Sequence, residues 1–175
     1  MRKMMGLVFG LLVFAASTRA QETPKAELFG GYSYLRLGGS GGANLHGGSV
    51  SLAGNFSRWF GAVADVGGYH TSASGASVNA VSYAIGPWFS YRSAGRWTPF
   101  AQTLFGGAHV SARAGGFSGS ANAFATSAGG GLDVKLSEHV ALRALQVEYV
   151  LLRSQGVNVN SGRASAGIVF RFGRK

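Results

Sequence analysis

Few side chains in this sequence are placed to do chemistry, and their spacing narrows what that chemistry could be. His109-Val110-Ser111 sets an imidazole and a hydroxyl two residues apart, which on a β-strand puts them on one face. Such a pair suits nucleophilic hydrolysis only when a third group orients the base. The next alternating segment, residues 121–134, has no glutamate, and its one acid, Asp133, lies at the far end. The pair therefore reads as a polar strand end entering a loop, and no catalytic residue is assigned. His46, His70 and His109 could ligate a metal. No acidic residue joins them and cysteine is absent, so neither a metal nor another cofactor is expected. Gly38 to Gly48 is glycine-rich but lacks the lysine and helix of a phosphate loop.

The elements that would carry these residues are strands. After residue 20 the pattern is alternation with period two, the signature of a strand with two unlike faces. Eight segments show it: 26–37, 48–56, 60–70, 78–91, 98–110, 121–134, 140–152 and 163–172. In 48–56, Val50, Leu52, Gly54 and Phe56 oppose Ser49, Ser51, Ala53 and Asn55. In 163–172, Ala164, Ala166, Ile168, Phe170 and Phe172 oppose Ser165, Gly167, Val169 and Arg171. Long connections at Gly38–Gly47, Thr71–Ser77, Ser111–Ser120 and Arg153–Gly162 alternate with shorter ones at Ser57–Trp59, Arg92–Trp97 and Lys135–His139. Up-and-down membrane barrels have long loops on one side and short turns on the other.

Composition agrees. Glycine fills 29 of 175 positions and charged residues only 13%, which is poor material for helices. Hydrophobic content of 46% excludes a disordered chain. The chain begins with a basic Met1-Arg2-Lys3, an apolar run from Met4 to Ala16, and Thr18-Arg19-Ala20. That is the layout of an export signal cut after Ala20, and the run is shorter than the roughly 20 residues a spanning helix needs. The expected organisation is a signal peptide over 1–20 and one barrel domain over 21–175. Removing 1–20 takes Arg2, Lys3 and Arg19, leaving 13 basic and 6 acidic residues, net +7. Arg36, Arg58, Arg92, Arg113, Arg153 and Arg163 are dispersed near loops or turns. Without a basic cluster or an aromatic platform, nucleic-acid binding is not expected. These arginines read as solvated rims touching anionic lipid headgroups.

A sheet can cross hydrocarbon only if it closes, because every backbone polar group needs a partner there. Eight strands close around an interior that side chains fill. One face of each strand must then be apolar toward lipid, and the enclosed face small and polar. Ionisable residues at membrane depth normally face inward. By parity Glu27, Asp65, Gln102, Asp133 and Arg171 do so, and Gln146 and Glu148 share a face. Arg143 has the opposite parity: either it points to lipid, at a cost that a place near the periplasmic interface would reduce, or a bulge between Arg143 and Gln146 turns it inward, the favoured alternative. Together these eight residues form an expected structural network inside the barrel. Glu27 is expected to meet Arg171 across the closing seam, and Asp65 to meet Arg143 through the lumen. Tyr32, Tyr34, Trp59, Phe60, Trp97 and Phe172 fall near strand ends, where aromatic girdles sit. Trp88 falls on the inner face. Pro87 removes a ladder donor and predicts a bulge or weak pairing.

Gly30-Gly31-Tyr32-Ser33-Tyr34-Leu35-Arg36 resembles the opening strand of the outer-membrane β-barrel family, the OmpA/OmpX-like group. Gly86-Pro87 through Tyr91-Arg92, Pro99-Phe100-Ala101, Gly129 to Asp133 and Gly167 to Gly173 are similar to its later strands. The resemblance covers residues 25–173. It implies an all-β, eight-stranded antiparallel up-and-down transmembrane β-barrel in a Gram-negative outer membrane. It also implies contact with outer-membrane lipids and lipopolysaccharide, delivery by the barrel-assembly machinery, a monomeric state, and a noncatalytic structural or surface-interaction role with a closed or very narrow, porin-like lumen. The family's assembly signal is a terminal aromatic residue; here Phe172 is followed by Gly173-Arg174-Lys175. The peptidoglycan-binding domain of larger members is not implied, because the chain stops at the barrel. Two other readings are open. A soluble secreted barrel for a small apolar ligand would put its apolar face inside. A lipid A deacylase-like membrane hydrolase would use the His109-x-Ser111 pair, which is similar to that of outer-membrane lipid A deacylases.

Overall fold

The computed structural model describes residues 23–38, 42–73, 76–93, 95–114, 117–154 and 157–174. The signal peptide expected at 1–20 lies outside the described residues. Eight strands run in chain order: β1 (Pro24–Leu37), β2 (Asn44–Asn55), β3 (Phe60–Ala73), β4 (Ala76–Ser90), β5 (Trp97–Ala114), β6 (Phe117–Lys135), β7 (Val140–Ser154) and β8 (Val157–Arg174). Each pairs with its sequence neighbour, and β8 closes on β1 in antiparallel register, Glu27 facing Arg171 and Tyr34 facing Ala164. Closure leaves no unpaired edge.

The faces follow the alternation. On the outside stand Leu28, Val50, Leu52, Val66, Ile85, Phe105, Leu145, Val147, Tyr149 and Ile168, all more than a third exposed. Inside lie Ser33, Ser49, Ser51, Asp65, Gln102, Ser127, Glu148 and Ser165, each under a tenth exposed. A soluble ligand-binding barrel requires the reverse. At the end of the barrel that holds the strand termini Pro24 and Arg174, Phe56, Trp59, Phe60 and Phe89 interlock, with Trp59 stacked on Phe89 at 6.1 Å and Phe60 tilted on Phe89 at 5.3 Å. We call this the turn end, and the opposite one the hairpin end. Aromatic rings favour a membrane–water boundary because they have an apolar body and, in Trp and Tyr, a polar handle.

The connections correct the sequence reading. Long loops were expected at Thr71–Ser77, Ser111–Ser120 and Arg153–Gly162. Instead β3 continues to Ala73 and β4 begins at Ala76; β5 and β6 are separated only by residues 115–116, and β7 and β8 by 155–156. Strands of 12 to 19 residues exceed the roughly 9–11 that cross a bilayer. The physical reason is that polarity does not end a ladder. A segment with Ser, Asn or Gly on both faces still gains by pairing its backbone groups.

Strand β7 contains the bulge that was one of the two alternatives for Arg143. Opposite β6, Leu132 faces Leu145 but Asp133 faces Arg143; opposite β8, Arg143 faces Gly167 but Gln146 faces Ser165. Ala144 and Leu145 are consecutive outward residues. This bulge turns Arg143 into the lumen, where it is 2% exposed. At Pro87 the register with β5 holds on both sides, from Ile85–Phe105 to Trp88–Gln102, with pairing interrupted between them.

Two glycines carry the seam. A Cβ on Gly31 would lie 2.2 Å from the Ala166 carbonyl and 2.8 Å from the Phe29 ring; one on Gly167 would lie 2.3 Å from the Gly30 carbonyl and 2.9 Å from the same ring. Phe29, 1% exposed, thus covers the two glycines across β1 and β8. Gly167→Val should displace that ring and cost about 1–3 kcal/mol, as overpacking does, read as a lower urea midpoint for the folded barrel. An unchanged midpoint would mean the seam tolerates a side chain.

Candidate functional site

The buried polar groups of the lumen divide into two clusters. At the turn end, Glu27 of β1 accepts from Arg171 Nε of β8 at 3.2 Å, from Asn55 Nδ2 of β2 at 2.8 Å, and from Arg92, just past β4. Asn55 Nδ2 also donates to the Pro24 carbonyl at 2.9 Å. Above this mouth lies an apolar layer: Ala53, Val63, Trp88, Phe100 and Leu104, with Phe29, Ala141 and Val169 beside them. Trp88 and Phe100 stack at 4.5 Å.

The Arg143 guanidinium sits against that layer, 4.2 Å from the Phe100 ring centroid, 4.5 Å from Phe29 and 5.3 Å from Trp88. A desolvated cation over aromatic faces gains of order 2 kcal/mol. Its donors are engaged as well: Nε and Nη2 reach the two Asp133 oxygens at 2.8 and 3.1 Å, and Nη1 reaches Gln146 Oε1 at 2.7 Å. Gln146 Nε2 passes the chain on to Glu148 Oε2 at 3.0 Å, and Gln102 Nε2 donates to Glu148 Oε1 at 2.8 Å. Arg163 completes the cluster, with Nε on Glu148 at 2.5 Å, Nη1 on Asp65 at 2.6 Å and on the Tyr69 hydroxyl at 3.3 Å.

The eight residues singled out from the sequence thus divide between the clusters. Asp65, Gln102, Asp133, Arg143, Gln146 and Glu148 meet in the middle, while Glu27 and Arg171 meet at the mouth; every one of them is at most 7% exposed. The partner expected for Asp65 is corrected: its hydrogen bond goes to Arg163, and Arg143 takes Asp133 as its carboxylate. Arg163 and Arg92, which the sequence places on solvated rims, have buried side chains instead. Arg163 is 6% exposed, and the Arg92 side chain 8%. Arg163 carried a signal, since it shares parity with Ser165 and Arg171. Arg92 carried none, because its side chain folds back from a turn.

Beyond the central cluster, toward the hairpin end, the lumen becomes aliphatic: Leu35, Leu45, Tyr69 and Ala80 pack together, with Leu37, Val78 and Val110 against them. Ser33 hydroxyl lies 2.7 Å from that of Ser165. On the outer face at this end, His109 Nδ1 donates to Asn122 Oδ1 at 2.7 Å, and His70 Nδ1 donates to Asn79 Oδ1 at 2.7 Å. Both are directly opposed cross-strand pairs. The repetition marks a cross-strand polar device. Asp133, the acid of β6, is engaged with Arg143 inside the barrel.

Among solved structures the chain is similar to neisserial surface protein A (TM-score 0.74, 15% identity, covering 87% of this chain and 99% of that one). It is also similar to Ail, the attachment invasion locus protein of Yersinia pestis (TM-score 0.63, 16% identity, 85% and 99% covered). A third is the N-terminal barrel domain of Pseudomonas aeruginosa OprF (TM-score 0.55, 15% identity, 87% and 100% covered). No protein-family model matches the sequence, and no curated protein matches it. The likeness establishes the fold: an all-β, closed eight-stranded antiparallel barrel.

Proposed function

We propose that this chain is exported, cleaved after Ala20, and resides as a monomeric, noncatalytic barrel in a Gram-negative outer membrane. Its role on this reading is structural or surface-interacting, and its lumen is closed. The observation that carries the reading is the inversion of faces, with ion pairs inside and a continuous apolar belt outside. In water that belt would be a severe aggregation hazard; in lipid it is the required surface. The three structural relatives named above support the outer membrane as its location.

The turn end would face the periplasm and the hairpin end the exterior. On the outer face toward the hairpin end stand Arg36, Arg113 and Arg153 with His46, His70 and His109. Among the described residues four carboxylates point into the lumen and Glu138 lies on the β6–β7 turn, so none opposes this outer rim. Its partners are then the lipids themselves, in particular the phosphates of lipopolysaccharide, after delivery by the barrel-assembly machinery. Any wider surface role would use the same face.

The test is a gel of the outer-membrane fraction in SDS, boiled and unboiled. A closed barrel keeps its compact mobility until heated, so two bands are expected; one band, with the protein recovered soluble from the periplasm, would overturn the reading. For the lumen, the apolar layer at Phe29, Val63, Trp88 and Phe100 should block ions. Protein reconstituted in a planar bilayer should give no steady conductance above that of lipid alone, and discrete stable openings would refute a closed lumen.

A further inference from the structure

The two lumenal clusters differ in charge. The central one balances Arg143 against Asp133 and sets Arg163 between Asp65 and Glu148. At the mouth the imbalance among the described residues has the other sign: Arg92 and Arg171 converge on one carboxylate, that of Glu27. Both arginine side chains are 8% exposed, and Glu27 2%. An uncompensated guanidinium in such a place is costly, since a buried charge needs both a partner and hydrogen bonds.

Glu27 does not satisfy the arginines. Arg92 Nε and Arg171 Nη2 are buried and have no hydrogen-bond partner among the described residues, and neither does the buried hydroxyl of Ser90. Ser90 ends β4 two residues before Arg92. Both guanidinium groups engage the same carboxylate, Arg92 at Oε1 and Arg171 at Oε2, which holds two like charges within a few ångströms of each other. Arg96, and Lys135 at the end of β6, stand at the same end of the barrel and add positive charge that draws anions toward it.

We infer that this mouth is a binding subsite for a small oxyanion, of which inorganic phosphate is the type, held between Arg92 and Arg171 with Glu27 fixing the spacing of the two guanidinium groups. Planar guanidinium forks match the geometry of phosphate and carboxylate oxygens. Phosphate offers more oxygens than a carboxylate and more charge than chloride. Bound there, it would neutralise the excess charge and accept from Arg92 Nε and Arg171 Nη2. The proposal uses the membrane reading only to name the mouth periplasmic; the site itself belongs to the fold.

The experiment is thermal unfolding of the full barrel in detergent micelles, in sodium phosphate and in sodium chloride at equal pH and ionic strength. The unfolding temperature should rise with phosphate in a saturable way, because a ligand that binds only the folded state stabilises it by mass action. Arg92→Gln keeps the Arg171–Glu27 pair and the strands, so it should fold, and the phosphate shift should fall to the chloride baseline. The absence of a shift in the unsubstituted protein would overturn the proposal, as would an undiminished shift in Arg92→Gln. An equal shift from phosphatidic acid in the micelle, with no free phosphate, would place the anion on the outer belt and overturn the lumenal assignment. Failure of membrane residence would show separately, as the loss of heat-modifiable mobility.

Discussion

Glu148→Ala should cost the folded barrel about 3–5 kcal/mol, the range for removing one partner of a buried ion pair. Glu148 is 1% exposed. It accepts from Gln102 at 2.8 Å, Gln146 at 3.0 Å and Arg163 at 2.5 Å, with the Ser127 hydroxyl at 3.4 Å. Truncation leaves Arg163 with Asp65 as its sole carboxylate and strips both glutamine amides of their acceptor. These bonds lie between an aromatic and aliphatic layer on the turn side and an aliphatic cluster on the other. The measurement is a urea titration of barrels in lipid vesicles, followed by the fluorescence of Trp88 and its two companions. Glu148→Gln, which keeps an acceptor oxygen but not the charge, should fall between the two proteins. Should Glu148→Ala unfold at the same urea concentration as the parent, the central cluster would contribute nothing to holding the barrel.

The second large effect belongs to the outer face. Ile85 is 63% exposed on β4, four residues from Phe89 in the aromatic cluster at the turn end. Ile85→Arg should cost about 2–4 kcal/mol in a bilayer, the range for a cation near the midplane of a barrel's lipid face. Asn160→Arg, on the outward parity of β8 in the extension toward the hairpin end, should cost about 0–1 kcal/mol. The contrast is the informative quantity. In water, two arginines on exposed strand positions would behave alike. Equal stabilities for the two variants in vesicles would therefore argue that Ile85 does not face lipid, and would remove the main support for membrane residence.

The alternation of single strands was sufficient to say which side chains share a face. Val50, Leu52 and Gly54 against Ser49, Ser51 and Ala53 needs no tertiary contact to read, because a pleated strand sends successive side chains to opposite sides. The bulge in β7 was one of two alternatives that parity left open. Arg143 stood out of parity with Gln146 and Glu148, and leaving it in lipid would cost more than inserting one residue. Strand limits were less legible. Segments such as Ser111–Ser120 are polar on both faces and look like loops, yet they pair to Ala114 and from Phe117. Composition records which solvent surrounds a segment and not whether its backbone is paired.

Which side chains meet inside the barrel depends on its closure. Asp65, Glu148 and Arg163 stand on β3, β7 and β8, and Arg163 reaches across 98 positions of sequence to Asp65. Parity brings each of them into the lumen but is silent on height and azimuth. Those depend on the stagger and tilt of the closed sheet, to which every strand pairing contributes. Arg143 and Arg163 could have exchanged carboxylates on parity alone. The bulge and the register of β7 against β6 set Arg143 directly opposite Asp133, and that placement leaves Asp65 to Arg163. Arg92 needed the structure most, since it stands beyond the end of a strand, where period two no longer constrains direction. Only the closed ring puts Glu27 within its reach, because burial of the carboxylate makes an approaching guanidinium worth its lost conformational freedom.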